Sequence, residues 1–418
     1  MGPDSIAILS AAPECIRNGD VHYAYRQDSN FYYLTGFPEP EAIAVFITDA
    51  HASRYLLFNR PHNKIAETWD GKRAGQEGAR EIYLADASYV FTEFQEKLSS
   101  LLQGKKKLFY TYGHHTALDQ QITDCMNYLR SKTRSGFAAP VETVEVDFLL
   151  HEQRLIKSEA EIALMRKAAA ISSVAHARAM KACKPGMMEY ELEAELLHEF
   201  TRQGSRALAY ECIIGSGENS CVLHYRANQK EMLADDMVLI DAGCEYDHYA
   251  SDITRTFPVN GRFSPEQRAI YAVVLQAQLK AIEQVKPGNT SEQIHDVATQ
   301  EITAGLVELG LLKGSVERLI ERNAHMPFYM HNTGHWLGMD VHDVGSYKLQ
   351  GKSRPLKAGM VLTVEPGIYI ASDTKNVDAR WWNIGVRIED DVLVTANGYE
   401  VLSTAPKEIE AIETLMKR

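Results

Sequence analysis

The chain has no uninterrupted apolar run approaching the roughly 18 residues that a membrane span requires. Its first residues lack a basic stretch followed by an apolar core, so no secretory signal peptide is expected. Basic charge is in deficit: 44 Lys and Arg face 56 Asp and Glu, and the net charge of −12 has the wrong sign for a nucleic-acid footprint. The six cysteines (15, 125, 183, 212, 221 and 244) show no C-x-x-C spacing, which points to free thiols in a reducing cytoplasm. A G-x-S-x-G elbow is missing, and no βαβ unit surrounds Gly215-x-Gly217, so neither serine-hydrolase nor dinucleotide chemistry is indicated. What remains is ordinary for a globular enzyme or scaffold: 418 residues, 45% hydrophobic and 24% charged, with room for two or three domains.

The first part of the chain alternates strand and helix signals. Apolar runs at Ser5-Ile6-Ala7-Ile8-Leu9, Phe31-Tyr32-Tyr33-Leu34, 42–47, Tyr55-Leu56-Leu57-Phe58 and Lys107-Leu108-Phe109-Tyr110 are bounded by Gly, Pro, Asp or Asn and read as strands. Helical patterns at 90–102 and 117–131 complete an α/β domain over residues 1–153. The chain enters almost directly on a strand, which raises the expectation that Met1 is a late start. Residues 147–157 are the expected join to a second domain, 154–418. There Ser158-Glu159-Ala160-Glu161 is a capping box heading a long helix with a stripe of Ile162, Met165, Ala169 and Val174, stopped by Lys184-Pro185-Gly186. More helices are expected at 190–203, after Ser264-Pro265 and at 290–312, with strands near Cys212-Ile213-Ile214, Cys221-Val222-Leu223, 327–331, 360–364, 368–370, 386–389 and 392–394.

The centre of this second part is residues 237–257. The apolar run Met237-Val238-Leu239-Ile240 ends on Asp241, and Asp252 follows beyond a turn containing Gly243 and a polar, aromatic hairpin. Carboxylates at the mouth of a buried strand are costly unless something positive meets them. The pattern recurs. Helix, Lys-Pro-Gly, helix appears at 184–186 and 286–288; MVLIDAG (237–243) follows the first copy and MVLTVEPG (360–367) the second. Each half also offers a further carboxylate, Asp252 or Glu389, so two similar halves related by an approximate twofold axis are inferred. Asp241, Asp252, Glu365 and Glu389, with a histidine from the segment 330–338, form a hard, oxygen-rich ligand set. It suits Mn²⁺, Mg²⁺, Co²⁺ or Zn²⁺ in a two-metal site better than a thiolate zinc site.

D-x₁₀-D, H-x-x-G-H-W-L-G-x-x-V-H-D, T-V-E-P-G-x-Y and G-V-R-I-E-D, taken together, resemble the pita-bread metallopeptidases, and the aminopeptidase P (Xaa-Pro aminopeptidase) branch in particular. The run Tyr25 to Phe37 and Gly215-Ser216-Gly217-Glu218-Asn219 resemble that branch too, so the likeness spans essentially the whole chain. It implies an α/β N-terminal domain and an α+β pita-bread catalytic domain with an internal pseudo-twofold duplication. It further implies two divalent ions, Mn²⁺ first, with Co²⁺ or Zn²⁺ as alternatives. Asp241 would hold one ion, Asp252 and Glu389 would bridge both, and His335 and Glu365 would complete the other. A metal-bridging hydroxide would attack the bond before proline, with Glu365 managing its proton. His342 and His224 would meet the oxyanion, and His331, Tyr369 and Arg387 would line the proline pocket. Trp69, in Glu67-Thr68-Trp69-Asp70-Gly71, matches a family loop that reaches a neighbouring subunit, which implies a homo-oligomer, dimer or tetramer. Peptides with proline in position two are the implied substrates; neither nucleic acid nor membrane is an expected partner. Residues 345–354 depart from the family in length and in their basic positions. Prolidase shares the same ligands and stays open as an alternative, as does a non-catalytic peptide- or protein-binding module on the same fold.

Overall fold

A computed structural model describes residues 1–417. The chain forms two compact units, Met1–His151 and Glu152–Arg418.

The first unit is built on a six-stranded sheet in the order Ala87–Val90, Ser53–Asn59, Ile43–Thr48, Ser5–Ser10, Lys107–Phe109, Glu142–Val144. Ser5–Ser10 pairs antiparallel with Ile43–Thr48 and parallel with Lys107–Phe109. Alternation along Ser5–Ser10 sends Ile6 and Ile8 to one face, where they pack with Leu98, Ile122 and Leu129 of helices Phe94–Leu102 and Thr116–Ser131. Ala7 and Leu9 face the other way, against Phe31 and Phe37. The sequence Phe31-Tyr32-Tyr33-Leu34 is not a strand. It lies inside the helix Ser29–Thr35, because Asp28 caps the Phe31 N–H and Gly36, at φ 60°, closes the other end. Two local end signals override the aromatic strand propensity of the middle.

The second unit contains the duplicated halves. In the first, helices Glu159–Ala182 and Glu189–Arg202 pack together beside the strands Ile213–Ser216, Met237–Asp241 and Thr254–Pro258. In the second, helices Pro265–Ile282 and Ser291–Glu308 pair in the same way. Their strands are Val361–Val364, Gly367–Ile370, Ile384–Arg387, Asp390–Val394 and Tyr399–Val401. The capping boxes at Ser158, Ser264 and Thr290 are all present. Both central ladders, Met237–Asp241 on Thr254–Pro258 and Val361–Val364 on Asp390–Val394, are antiparallel and run without a register shift. The extra residue of the second copy is therefore absorbed at the ends. Met237 and Asp241 are the first and last residues of their strand, whereas Met360 and Glu365 flank theirs. The halves meet where the Glu389 N–H donates to Thr254 O (3.1 Å) and the Thr256 hydroxyl donates to Arg387 O (2.9 Å).

Three expectations in this unit are corrected. Val174 is 46% exposed and leaves the buried stripe, which continues instead through Ser172, Ser173 and His176. Cys221-Val222-Leu223 is not a strand: a 3₁₀ turn, Gly217–Cys221, is tightened by the Ser220 hydroxyl donating to Gly217 O, and the chain then runs irregularly. Residues 327–331 form a turn, with the Phe328 and Tyr329 N–H groups both donating to His325 O, although both aromatics are buried as a strand would bury them. The expected join contains the helix Val146–Leu155, and the terminal helix Ile409–Leu415 has no counterpart in the sequence reading.

Candidate metal centre

Asp241, Asp252, His335, Glu365 and Glu389 line one cavity of about 530 Å³ in the second unit, together with His224, His331, His342, Tyr210 and Arg387. Each carboxylate stands at a strand end, where backbone geometry is rigid and the side chain reaches out of the ladder. Asp241 closes Met237–Asp241, Asp252 precedes Thr254–Pro258, Glu365 joins Val361–Val364 to Gly367–Ile370, and Glu389 precedes Asp390–Val394. Ligand atoms of Asp252, His335 and Glu389 all lie within 4.8 Å of one another. His335 Nε2 is 3.3 Å from Asp252 Oδ2 and 3.7 Å from Glu365 Oε1. The other ring nitrogen, Nδ1, is 3.0 Å from Trp336 O and serves as its donor, which leaves the Nε2 lone pair for a cation.

A second layer holds these groups. The Arg387 guanidinium donates to Asp241 Oδ2 (2.6 Å), Tyr369 Oη (3.0 Å) and Thr254 Oγ1 (3.2 Å). The Thr254 hydroxyl donates to Glu389 Oε2 (2.6 Å). His331 Nε2 is 2.9 Å from Tyr369 Oη, so His331 and Arg387, which line the cavity, are linked through Tyr369, which is buried beside Ile213 and Leu239 and does not itself line it. Beneath it, the fully buried Arg255 pairs with Asp390 (2.6 Å) and donates to both Thr254 O and Glu389 O, tying together the strands that present ligands from either half.

Electrostatically the site is starved of positive charge. Burial, aided by Asp252, Glu365 and Asp241, pushes Glu389 well above the usual carboxylate range. Burial also raises Glu365, to about 7, against the pull of His335 and Arg387. Burial alone would lower His335, but its hydrogen bond to Asp252 and the charges of Asp252 and Glu365 outweigh that and lift it to about 9. Burial lowers His331 to about 4, so that imidazole is neutral. Four carboxylates sharing one arginine and one imidazole are what a divalent-cation site leaves behind when its charge is not counted. The donor set therefore fits hard or borderline divalent metal.

Trp69 belongs to the first unit, on the short helix Lys64–Asp70, which buries none of its residues, and its indole is 84% exposed. Four participants were not singled out from the sequence: Thr254, Arg255, Tyr210 and Asp391. The Tyr210 hydroxyl lies 2.6 Å from both Asp241 Oδ1 and Asp252 Oδ1. Asp391, fully buried, accepts the Asp252 N–H (3.1 Å). Thr254, Arg255 and Asp391 stand within three positions of expected ligands, and that adjacency was the available signal; Tyr210 had none.

Residues 163–396 match the model of metallopeptidase family M24, and residues 1–110 match the aminopeptidase P N-terminal domain. The chain is 46% identical to the Xaa-Pro aminopeptidase of Escherichia coli K12 over 417 residues, covering 99% of this chain and 94% of that protein. It is 45% identical to the Xaa-Pro aminopeptidase of Haemophilus influenzae, covering 100% and 94%. Among solved structures, Pseudomonas aeruginosa aminopeptidase PepP superposes with a TM-score of 0.97 at 52% identity, covering 100% of this chain and 94% of that one. Zinc-substituted E. coli aminopeptidase P in complex with product gives 0.97 at 47%, with the same coverage. The chain belongs to metallopeptidase family M24, with an aminopeptidase P N-terminal domain ahead of a pita-bread catalytic domain.

Proposed function

We propose that this enzyme is a dinuclear-metal aminopeptidase that removes the N-terminal residue from peptides with proline in the second position. The observation that carries the reading is the convergence of Asp241, Asp252, His335, Glu365 and Glu389, drawn from both halves, on one cavity. Those five residues would hold the ions, Mn²⁺ first and Co²⁺ or Zn²⁺ as alternatives. When bound, the ions supply Lewis-acid activation of water and of the scissile carbonyl. Glu365, on the same cavity, takes the proton of the attacking water and returns it to the proline nitrogen as the C–N bond breaks. His342 and His224, on the same cavity wall, donate to the oxygen that gains charge. His331 and Arg387, braced from behind by Tyr369, offer a rigid surface to the proline ring, whose fixed geometry makes shape selection effective. Asp241 meets the free amine of the substrate.

A homo-oligomer, dimer or tetramer, is part of the reading, with Trp69 offered to a neighbouring copy; its exposure supports this. Cysteines that form no disulfide among the described residues support a reducing, cytoplasmic setting. The test uses chelator-stripped enzyme with and without added Mn²⁺. Restored release of the first residue from Xaa-Pro-Xaa tripeptides, with Xaa-Pro dipeptides inert, is the expected result. The reverse preference would make the enzyme a prolidase. Silence with every divalent ion would leave only the binding module.

A further inference from the structure

We infer that Asp343 is a positioning residue for His342, acting through a buried ionic cluster with Arg154 and Lys157; this rests on the proposed role of His342 at the oxyanion. The Arg154, Lys157 and Asp343 side chains are 2%, 1% and 1% exposed. Arg154 Nη2 donates to Asp343 Oδ1 (2.6 Å) and to Asp340 Oδ2 (2.7 Å), and Lys157 Nζ donates to Asp343 Oδ2 (2.8 Å). Both oxygens of one buried carboxylate are thus held by cations from outside its loop. Charges this deep seldom add net stability over apolar residues of similar volume. What they do provide is direction, because a carboxylate fixed at both oxygens cannot turn.

The loop so fixed is the one that bears the catalytic histidines. The Asp343 N–H donates to Trp336 O (2.9 Å), closing the segment from Trp336 to Asp343 on itself, and the Asp340 N–H reaches Asp343 Oδ1 (3.4 Å). The segment is drawn in tightly. A Cβ at Gly338 would fall 2.1 Å from Asp343 Oδ2 and 2.9 Å from Lys157 Cε, so only glycine leaves room for the ion pair. His342 immediately precedes Asp343, and its ring sits edge-on to His335 with centroids 4.2 Å apart. Among the described residues the His342 ring has no hydrogen-bond partner. Its aim is therefore set by the backbone that carries it, and the Asp343 cluster is what holds that backbone. No role at the cavity itself is assigned to Arg154 or Lys157; they act through Asp343.

A double-mutant cycle tests this on the metal-loaded, full-length enzyme with an Xaa-Pro-Xaa peptide. Asp343→Asn is expected to lower kcat by about 10- to 100-fold, the scale of a misaimed catalytic group, with KM and bound metal close to wild type. In a His342→Ala background the same change should cost less than about twofold more, because the residue it aims is gone. Lys157→Met keeps the stem and the Arg154–Asp343 pair, and covers the case in which Asp343→Asn fails to fold. It should lower kcat by several-fold, again only while His342 is present. Losses that multiply in the double variants, or a wild-type kcat in Asp343→Asn, overturn the inference while leaving the role of His342 intact. An unchanged kcat in His342→Ala alone overturns that role and the inference with it.

Discussion

At Glu365 two demands meet in one side chain. Burial and the carboxylates of Asp252 and Asp241 favour its protonated form, His335 and Arg387 favour the charged one, and the balance falls near 7. Metal entry tips that balance to the ionised form, and an ionised Glu365 beside the attacking water can accept its proton. Glu365→Gln retains an oxygen ligand but cannot carry that proton; kcat should fall by about 10²- to 10⁴-fold while metal analysis shows the ions retained. Near-normal turnover would remove Glu365 from the chemistry. Tyr210 makes the opposite point about legibility. Asp, Glu and His were readable because cation binding demands those residue types, and their repeat across the two halves multiplied a weak signal. A tyrosine in an irregular segment announces nothing, yet its hydroxyl spans Asp241 and Asp252 at 2.6 Å each. One hydroxyl proton serves only one carboxylate at a time, so the arrangement holds the two oxygens at a fixed separation. Tyr210→Phe should weaken metal binding by about 10- to 100-fold, measured by competition with a chelator, as loss of an outer-shell partner does elsewhere.

The elements that bring these residues together depend on close backbone approach. Asp241 and Asp252 are joined by the hairpin Cys244–Tyr246 and Tyr249–Ala250, and at its base a Cβ on Gly243 would stand 1.7 Å from Ser251 O. The two strands cannot separate there without moving Asp252 away from Asp241. Gly243→Ala should cost at least about 1–3 kcal/mol in denaturant unfolding, the range for overpacking, and should also lower metal content in the folded fraction. A stable, fully metallated variant would show that the hairpin adjusts without disturbing its ligands. At this scale the sequence was readable wherever ends and middle agreed. Ser158, Ser264 and Thr290 cap helices whose interiors are also helical in pattern. It failed where they disagreed: Phe31 to Leu34 has strand composition between helix caps, and the caps won. It failed again at 327–331, where a turn delivers the burial of Phe328 and Tyr329, which periodicity does not distinguish from a strand, and at Cys221 to Leu223, where an apolar run leaves Val222 52% exposed. The stripe through Val174 shows the same limit, since a residue apolar in kind need not lie on the buried arc.

At the scale of the whole molecule, two halves contribute charge to one cavity, and assembly adds a second question. If Trp69 serves a neighbouring copy, Trp69→Ala should lower kcat/KM on proline peptides with metal content unchanged; an unaltered rate would return it to a surface role. The charge of the assembled site leads further. Without cations, His335 titrates near 9 and Glu365 near 7, so at pH 7 His335 is protonated and Glu365 is divided, while burial and the neighbouring carboxylates hold Glu389 above its ordinary range as well. Cations need the neutral imidazole and the ionised carboxylates, so each of these protons must leave when metal enters. The sign follows: a folded-state pKa above the working pH opposes binding, and the opposition fades as pH rises through it. Mn²⁺ affinity should therefore climb from pH 6 to pH 9 and level off beyond. Titration calorimetry at pH 7, in buffers of different ionisation enthalpy, should register net release of protons on metal uptake. Uptake that releases no protons, with a flat affinity over this range, would mean that the cations bind somewhere other than among these five side chains.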